Sequence, residues 1–86
     1  MLSHSTPEQN EAKLKDLFSK SLNIKLDLVT DDLAYNGVKE WDSVAHMALI
    51  GAIDDQFSIM LETDDIIGLS SFKTAKEILQ RYQIAI

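Results

Sequence analysis

The chain has 86 residues, no cysteine and a formal net charge of −6, from 14 Asp and Glu against 8 Lys and Arg. That length holds one modest core, and 45% hydrophobic residues are enough to fill it. The acidic balance argues against a nucleic-acid partner, which needs a basic patch, and the missing thiols exclude a disulfide framework and any cysteine nucleophile or Cys-based metal site.

No window approaches the roughly 18 consecutive apolar residues of a membrane span. The opening Met-Leu-Ser-His-Ser-Thr-Pro has no signal-peptide pattern, so the expectation is a cytoplasmic monomer built as a single domain over residues 1–86. Residues 1–5 read as a tail. Thr6-Pro7-Glu8 reads as a helix start, with Thr6 as N-cap, Pro7 at the first helical position and Gln9 completing a capping box. Leu14, Leu17, Phe18 and Leu22 follow at helical spacing, which predicts a first helix over 7–22. Four of the eight basic residues, Lys13, Lys15, Lys20 and Lys25, lie in or just after it.

Residues 23–41 make a long connection for a small domain. Ile24-Lys25-Leu26-Asp27-Leu28-Val29 alternates like a strand, but no second strand is evident to pair with it, so an extended loop is expected. Ile24, Leu26 and Leu28, or else Val29 and Leu33, would be tucked into the core. Thr30-Asp31-Asp32-Leu33 reads as one helical turn, and Asn36-Gly37 as a chain reversal. Asp32, Asn36 and Gly37 also fall at positions of a calcium-binding EF-hand loop. That template fails at two ligand positions, where Ala34 and Ser43 stand, and no helix pair flanks it.

Asp42 precedes Ser43 at the head of an amphipathic run, so Asp42 is the expected N-cap of a second helix over 43–57. Met47, Ile50 and Ile53 are its expected core residues, with Val44 partly exposed, and Gly51 leaves room for a close helix approach. Ser43 would lie where free N–H groups and the helix dipole favour a phosphate. His46 stands one turn beyond it, which raises a Ser43–His46–Asp42 triad. Three residues within one helical turn cannot supply the oriented base and oxyanion hole, the Gly-x-Ser-x-Gly elbow is absent, and His46 reads as a surface histidine.

From residue 40 to residue 72 there is no Lys or Arg, while Glu40, Asp42, Asp54, Asp55, Glu62, Asp64 and Asp65 supply seven acids. Thr63 is the expected cap of a short third helix through Asp64-Asp65-Ile66-Ile67 to Gly68, with Ile66 or Ile67 over the mouth of the core. Ser71 caps a last helix, in which Phe72, Ala75, Ile78, Leu79 and Tyr82 repeat at helical spacing. The fold class is therefore all-α: a four-helix bundle of three longer helices and one short one, with a long first loop.

Asp42-Ser43, the helix ending in Asp54-Asp55-Gln56-Phe57, the segment Ser58–Leu61, the acidic stretch Glu62–Asp65 and Ser70-Ser71-Phe72 occur in the order seen in acyl carrier proteins. The chain resembles that family from about residue 8 to residue 82. The resemblance implies that Ser43 carries 4′-phosphopantetheine, attached by a phosphopantetheinyl transferase from coenzyme A, and that the protein itself catalyses nothing. It implies a core that opens to shelter an apolar acyl chain held as a thioester. It further implies that Val44, Met47, Asp54, Asp55, Glu62, Asp64 and Asp65 form a face for loading ligases and acyl-processing enzymes with basic docking surfaces. Members serving fatty-acid synthesis carry acids two and five residues after the modified serine. Here those positions are Ala45 and Ala48, which points to a specialised pathway. Aminoacyl carriage, peptidyl or D-alanyl, is the alternative on the same fold, and an unmodified interaction module a more distant one.

Overall fold

The computed structural model of the protein describes residues 6–86; the tail expected over residues 1–5 lies outside them. Four helices follow in chain order: α1 Pro7–Leu22, α2 Ser43–Phe57, α3 Thr63–Gly68 and α4 Phe72–Arg81. There is no named strand among the described residues, and the arrangement is compatible with a helical bundle.

Local chemistry sets the helix boundaries. Thr6 accepts from the Gln9 amide at 3.1 Å while the Gln9 side chain accepts from the Thr6 amide at 3.0 Å, closing the capping box. Asn23 ends α1 in the left-handed conformation, with φ 56°. Ser71 accepts from the Thr74 amide at 2.9 Å to start α4. Thr63 is not a cap. Glu62 holds the N-cap position of α3 without a side-chain bond, and Thr63 is already the first helical residue.

The long connection is neither a strand nor featureless. Leu26–Leu28 form a single 3₁₀ turn, and Thr30–Leu33 close a simple turn rather than a helical one, with a 2.9 Å bond from the Leu33 amide. Ile24, Val29 and Leu33 enter the core while Leu26 and Leu28 stay about half exposed, because the 3₁₀ turn breaks the alternation. At the Asn36-Gly37 reversal the two residues divide the work. Asn36 takes the left-handed backbone, with φ 64°. Gly37 allows close approach, since a Cβ there would stand 2.8 Å from the Ala34 carbonyl oxygen. Next to this turn, the Tyr35 amide bonds the Ser70 carbonyl at 2.8 Å and the Phe72 amide bonds the Leu33 carbonyl at 3.0 Å. That isolated antiparallel bridge ties the loop to the start of α4.

The core joins Leu14, Phe18 and Leu22 of α1 to Leu49, Ile50 and Ile53 of α2 and to Phe72, Ala75, Ile78 and Leu79 of α4. Each large side chain buried this completely contributes about 1.5–3 kcal/mol. Gly51 is exposed, with nothing near the place of a Cβ, so no helix approaches it. Ile84 and Ile86 pack on the core, and the Asn10 side chain donates to the Ala85 carbonyl at 2.6 Å, so the apolar end docks against α1.

Lys76 joins three segments. Its ammonium pairs with Asp31 at 2.7 Å and Glu11 at 3.3 Å and lies 4.9 Å from the Phe72 ring centre, with the side chain only 18% exposed. The hydrogen bond to Asp31 raises its pKa above the usual 10.5, against the opposing effect of desolvation. Folding therefore holds this proton more tightly than the unfolded chain does. The associated stability is complete below pH 10.5 and falls away as pH rises through the elevated folded-state value. Lys76→Met is expected to cost about 1 kcal/mol at pH 7 in urea unfolding. Its deficit against the parent should shrink as pH rises past the parent's folded-state pKa.

Candidate functional site

Asp42 sits at the N-cap of α2 in extended conformation, and its carboxylate accepts from the Ala45 amide at 2.9 Å. Ser43 is the first helical residue and is exposed. No group among the described residues bonds its hydroxyl, and the amides of Ser43 and Val44 have no partner there either. These are the donors that a helix start leaves open, at the positive end of the α2 dipole. A cleft of about 320 Å³ opens beside them, lined by Tyr35, Ser43, His46, Met47, Ile66, Ile67, Leu69 and Ser70. Its walls come from the loop, from α2 and from α3 with the residues that follow it. Ser43 thus lies on the rim of an apolar cleft.

His46 is not a surface residue. It is half-buried on the inward stripe of α2, at i, i+3, i+4 and i+7 with Leu49, Ile50 and Ile53. The indole N–H of Trp41 donates to His46 Nδ1 at 3.0 Å, and His46 Nε2 lies 2.8 Å from the Ile66 carbonyl oxygen. An indole N–H can only donate and a carbonyl can only accept, which fixes the tautomer: Nδ1 accepts and Nε2–H donates. Both nitrogens are engaged away from Ser43 and Asp42, so the triad is not assembled. The imidazole lies edge to edge with the Trp41 ring across that bond, nearly coplanar, with centroids 6.0 Å apart and planes at 22°, and it meets Tyr35 edge-on at 5.6 Å.

With His46 on the stripe, Met47 is turned outward. It is 56% exposed rather than core, and it lines the cleft opposite Ile67 of α3. Val44, 79% exposed, lies beside Ser43 as expected.

The acids expected to form one surface divide into two sets. Asp55, Glu62 and Asp64 are exposed. Asp54 is half-buried and accepts from the Leu61 amide at 3.1 Å, securing the chain as it leaves α2. Asp65 pairs with Arg81 and accepts from the Tyr82 hydroxyl at 2.6 Å, while that hydroxyl accepts from the Glu62 amide at 2.9 Å. Donation to Asp65 raises the Tyr82 pKa above its usual 10.0, and the Glu62 amide partly offsets this. Asp65 is therefore a clamp between α3 and α4.

Among the described residues no group of three His, Asp or Glu side chains is placed to hold a metal ion, and Asp31, beside the calcium-like loop positions, is paired with Lys76. No described helix is long and apolar enough to cross a membrane. No family model matches the chain, and no curated protein matches it.

Two substitutions separate structural acids from free ones. Asp42→Ala should lower stability by about 1 kcal/mol through loss of the cap, with Asp42→Asn nearly neutral, both read from urea midpoints. Asp65→Ala should lower the midpoint, whereas Asp64→Ala should leave it unchanged within error.

Proposed function

We propose that the protein is a carrier in which Ser43 bears 4′-phosphopantetheine and presents acyl groups to partner enzymes. The observation that carries this reading is the exposed, unpartnered Ser43 hydroxyl at the capped start of α2, on the rim of the cleft. A phosphodiester on that oxygen fits the residues present. The free amides of Ser43 and Val44 and the helix dipole face it, and nothing in the fold must move to admit it. When bound, the group supplies the terminal thiol for a thioester that a chain with no cysteine cannot form itself.

The remaining work falls to the chain's own residues. Asp42 fixes the helix start and hence the direction of Ser43. Val44 and Met47 offer exposed apolar contacts beside the attachment point, and Asp55, Glu62 and Asp64 are exposed acids further along the same part of the chain. Complementary basic patches on a phosphopantetheinyl transferase, a loading ligase or acyl-processing enzymes would be drawn in mainly through the association rate. A tethered cargo then meets each docked enzyme at high effective concentration. The departure at Ala45 and Ala48 supports a specialised partner set.

Intact mass tests the reading directly. Incubation with coenzyme A and a broad-specificity phosphopantetheinyl transferase should add one phosphopantetheinyl group to the parent protein, as Ser43 Oγ bonds phosphorus and the nucleotide half of coenzyme A departs. Ser43→Ala should gain nothing. A parent protein that stays unmodified with several transferases would instead favour an unmodified interaction module.

A further inference from the structure

A group carried on Ser43 would either stay in solvent or be sheltered, and the shelter on offer is the surface cleft or the core beneath it. The cleft's floor is the His46 ring together with Leu69, which is buried. Behind His46 the route inward is filled by rings in succession. Trp41, with 0% exposure, meets His46 edge to edge through its N–H, Phe18 meets Trp41 edge-on at 5.4 Å, and Phe72 meets Phe18 edge-on at 5.2 Å. Neither floor residue moves freely. Rotating His46 would strip the acceptor from a buried indole N–H and the donor from the Ile66 carbonyl. Leu69 is held by the chain that follows it, where Ser70 and Phe72 bond the loop at Tyr35 and Leu33.

We propose that Trp41 and His46 form a plug between Ser43 and the core, so that cargo stays in the cleft and this carrier takes short, uncharged acyl groups rather than long unbranched chains. The inference rests on the carrier reading above and deepens it. At about 320 Å³ the cleft is at the small end of small-molecule sites, which run from about 300 to 1,000 Å³. Its lining has no carboxylate, lysine or arginine. The polar groups free to meet a ligand are the hydroxyls of Tyr35 and Ser70, which suit a carbonyl or hydroxyl but leave a charged cargo unpaired. A long chain finds no continuation inward and would lie against solvent along Met47 and Ile67. Trp41 and His46 are thus specificity-determining residues that act by occupying space.

The test loads Ser43 with butyryl, malonyl and dodecanoyl arms from the corresponding acyl-coenzyme A. It compares each thioester's hydroxylamine cleavage rate with that of the same thioester on free pantetheine. Trp41 is the only tryptophan, so its emission reports on the plug in the same samples. The butyryl thioester should be cleaved several-fold more slowly on the protein than on pantetheine. The malonyl and dodecanoyl thioesters should be cleaved at rates close to their free counterparts, with Trp41 emission unchanged by chain length.

In His46→Ala the dodecanoyl thioester should gain several-fold protection, with a shift in Trp41 emission. His46→Gln, whose amide can still donate toward Ile66, should behave like the parent. Should His46→Ala fail to fold, Trp41→Phe makes the same comparison by shrinking the plug and removing its N–H. Several-fold protection of dodecanoyl in the parent, or none gained in the folded variant that opens the plug, would overturn the proposal while leaving the carrier reading intact. Absence of any mass gain on loading would overturn that reading, and this proposal with it.

Discussion

A buried indole N–H must find an acceptor, and in this protein the acceptor is an imidazole whose other nitrogen reaches a different helix. Much of the architecture around Ser43 follows from that requirement. The Ile66 carbonyl is one of those a six-residue helix cannot satisfy internally, so the same bond that orients His46 also secures α3. Trp41 immediately precedes Asp42, so fixing the indole also fixes the residue that caps α2. One chain of contacts therefore sets the helix start, the cleft wall and the position of α3. Replacing His46 by an apolar residue of similar size would keep some packing but leave two polar groups unpaired, which is the costlier change.

α3 shows why polar contacts matter so much here. None of its residues is buried, and at six residues its own hydrogen bonds cannot make it stable. It is held from one side by His46 and from the other by Arg81 and Tyr82, with Leu61 and Leu69 as apolar anchors just beyond its ends. This helix depends on directional bonds to two neighbours, unlike α1 and α4, which hold their places through buried stripes. The cleft beside Ser43 is consequently bounded by one wall set by core packing and one set by hydrogen bonds.

The sequence was most legible where local chemistry decides the outcome. The Thr6 capping box, the Asp42 and Ser71 caps and the periodic stripes of α1 and α4 give boundaries that agree with the structure. It was least legible where one residue has to be read through a distant partner. A surface His46 with a core of Met47, Ile50 and Ile53 displaces the α2 stripe by one residue, although His46, Leu49, Ile50 and Ile53 have the better helical spacing. No local pattern announces that a tryptophan five residues earlier will need an imidazole. Asp54 and Asp65 were hidden for the same reason, since their partners lie at Leu61, Arg81 and Tyr82. The alternation at Leu26–Leu28 is rightly read as a loop for want of a pairing strand, but nothing local marks the 3₁₀ turn that leaves Leu26 and Leu28 half exposed.

The two sets of acids bear on how the proposed carrier surface would work. Asp42 and Asp54 each cap backbone amides, and Asp65 clamps α3 to α4, yet capping does not neutralise a carboxylate. The capping acids still add to the long-range field of a segment that has no Lys or Arg from residue 40 to residue 72. Asp65 adds less, because Arg81 opposes it at close range. Close contact demands more, because an acid already bonded within the fold cannot swing to meet a partner without giving up that bond. Asp55, Glu62 and Asp64 are exposed and meet this demand. Steering would then draw on the whole acidic segment, whereas the choice of partner would fall to three carboxylates and to the apolar pair Val44 and Met47 around Ser43. Charge along the sequence therefore reports the strength of attraction, and only the hydrogen-bond pattern identifies the side chains left free to discriminate.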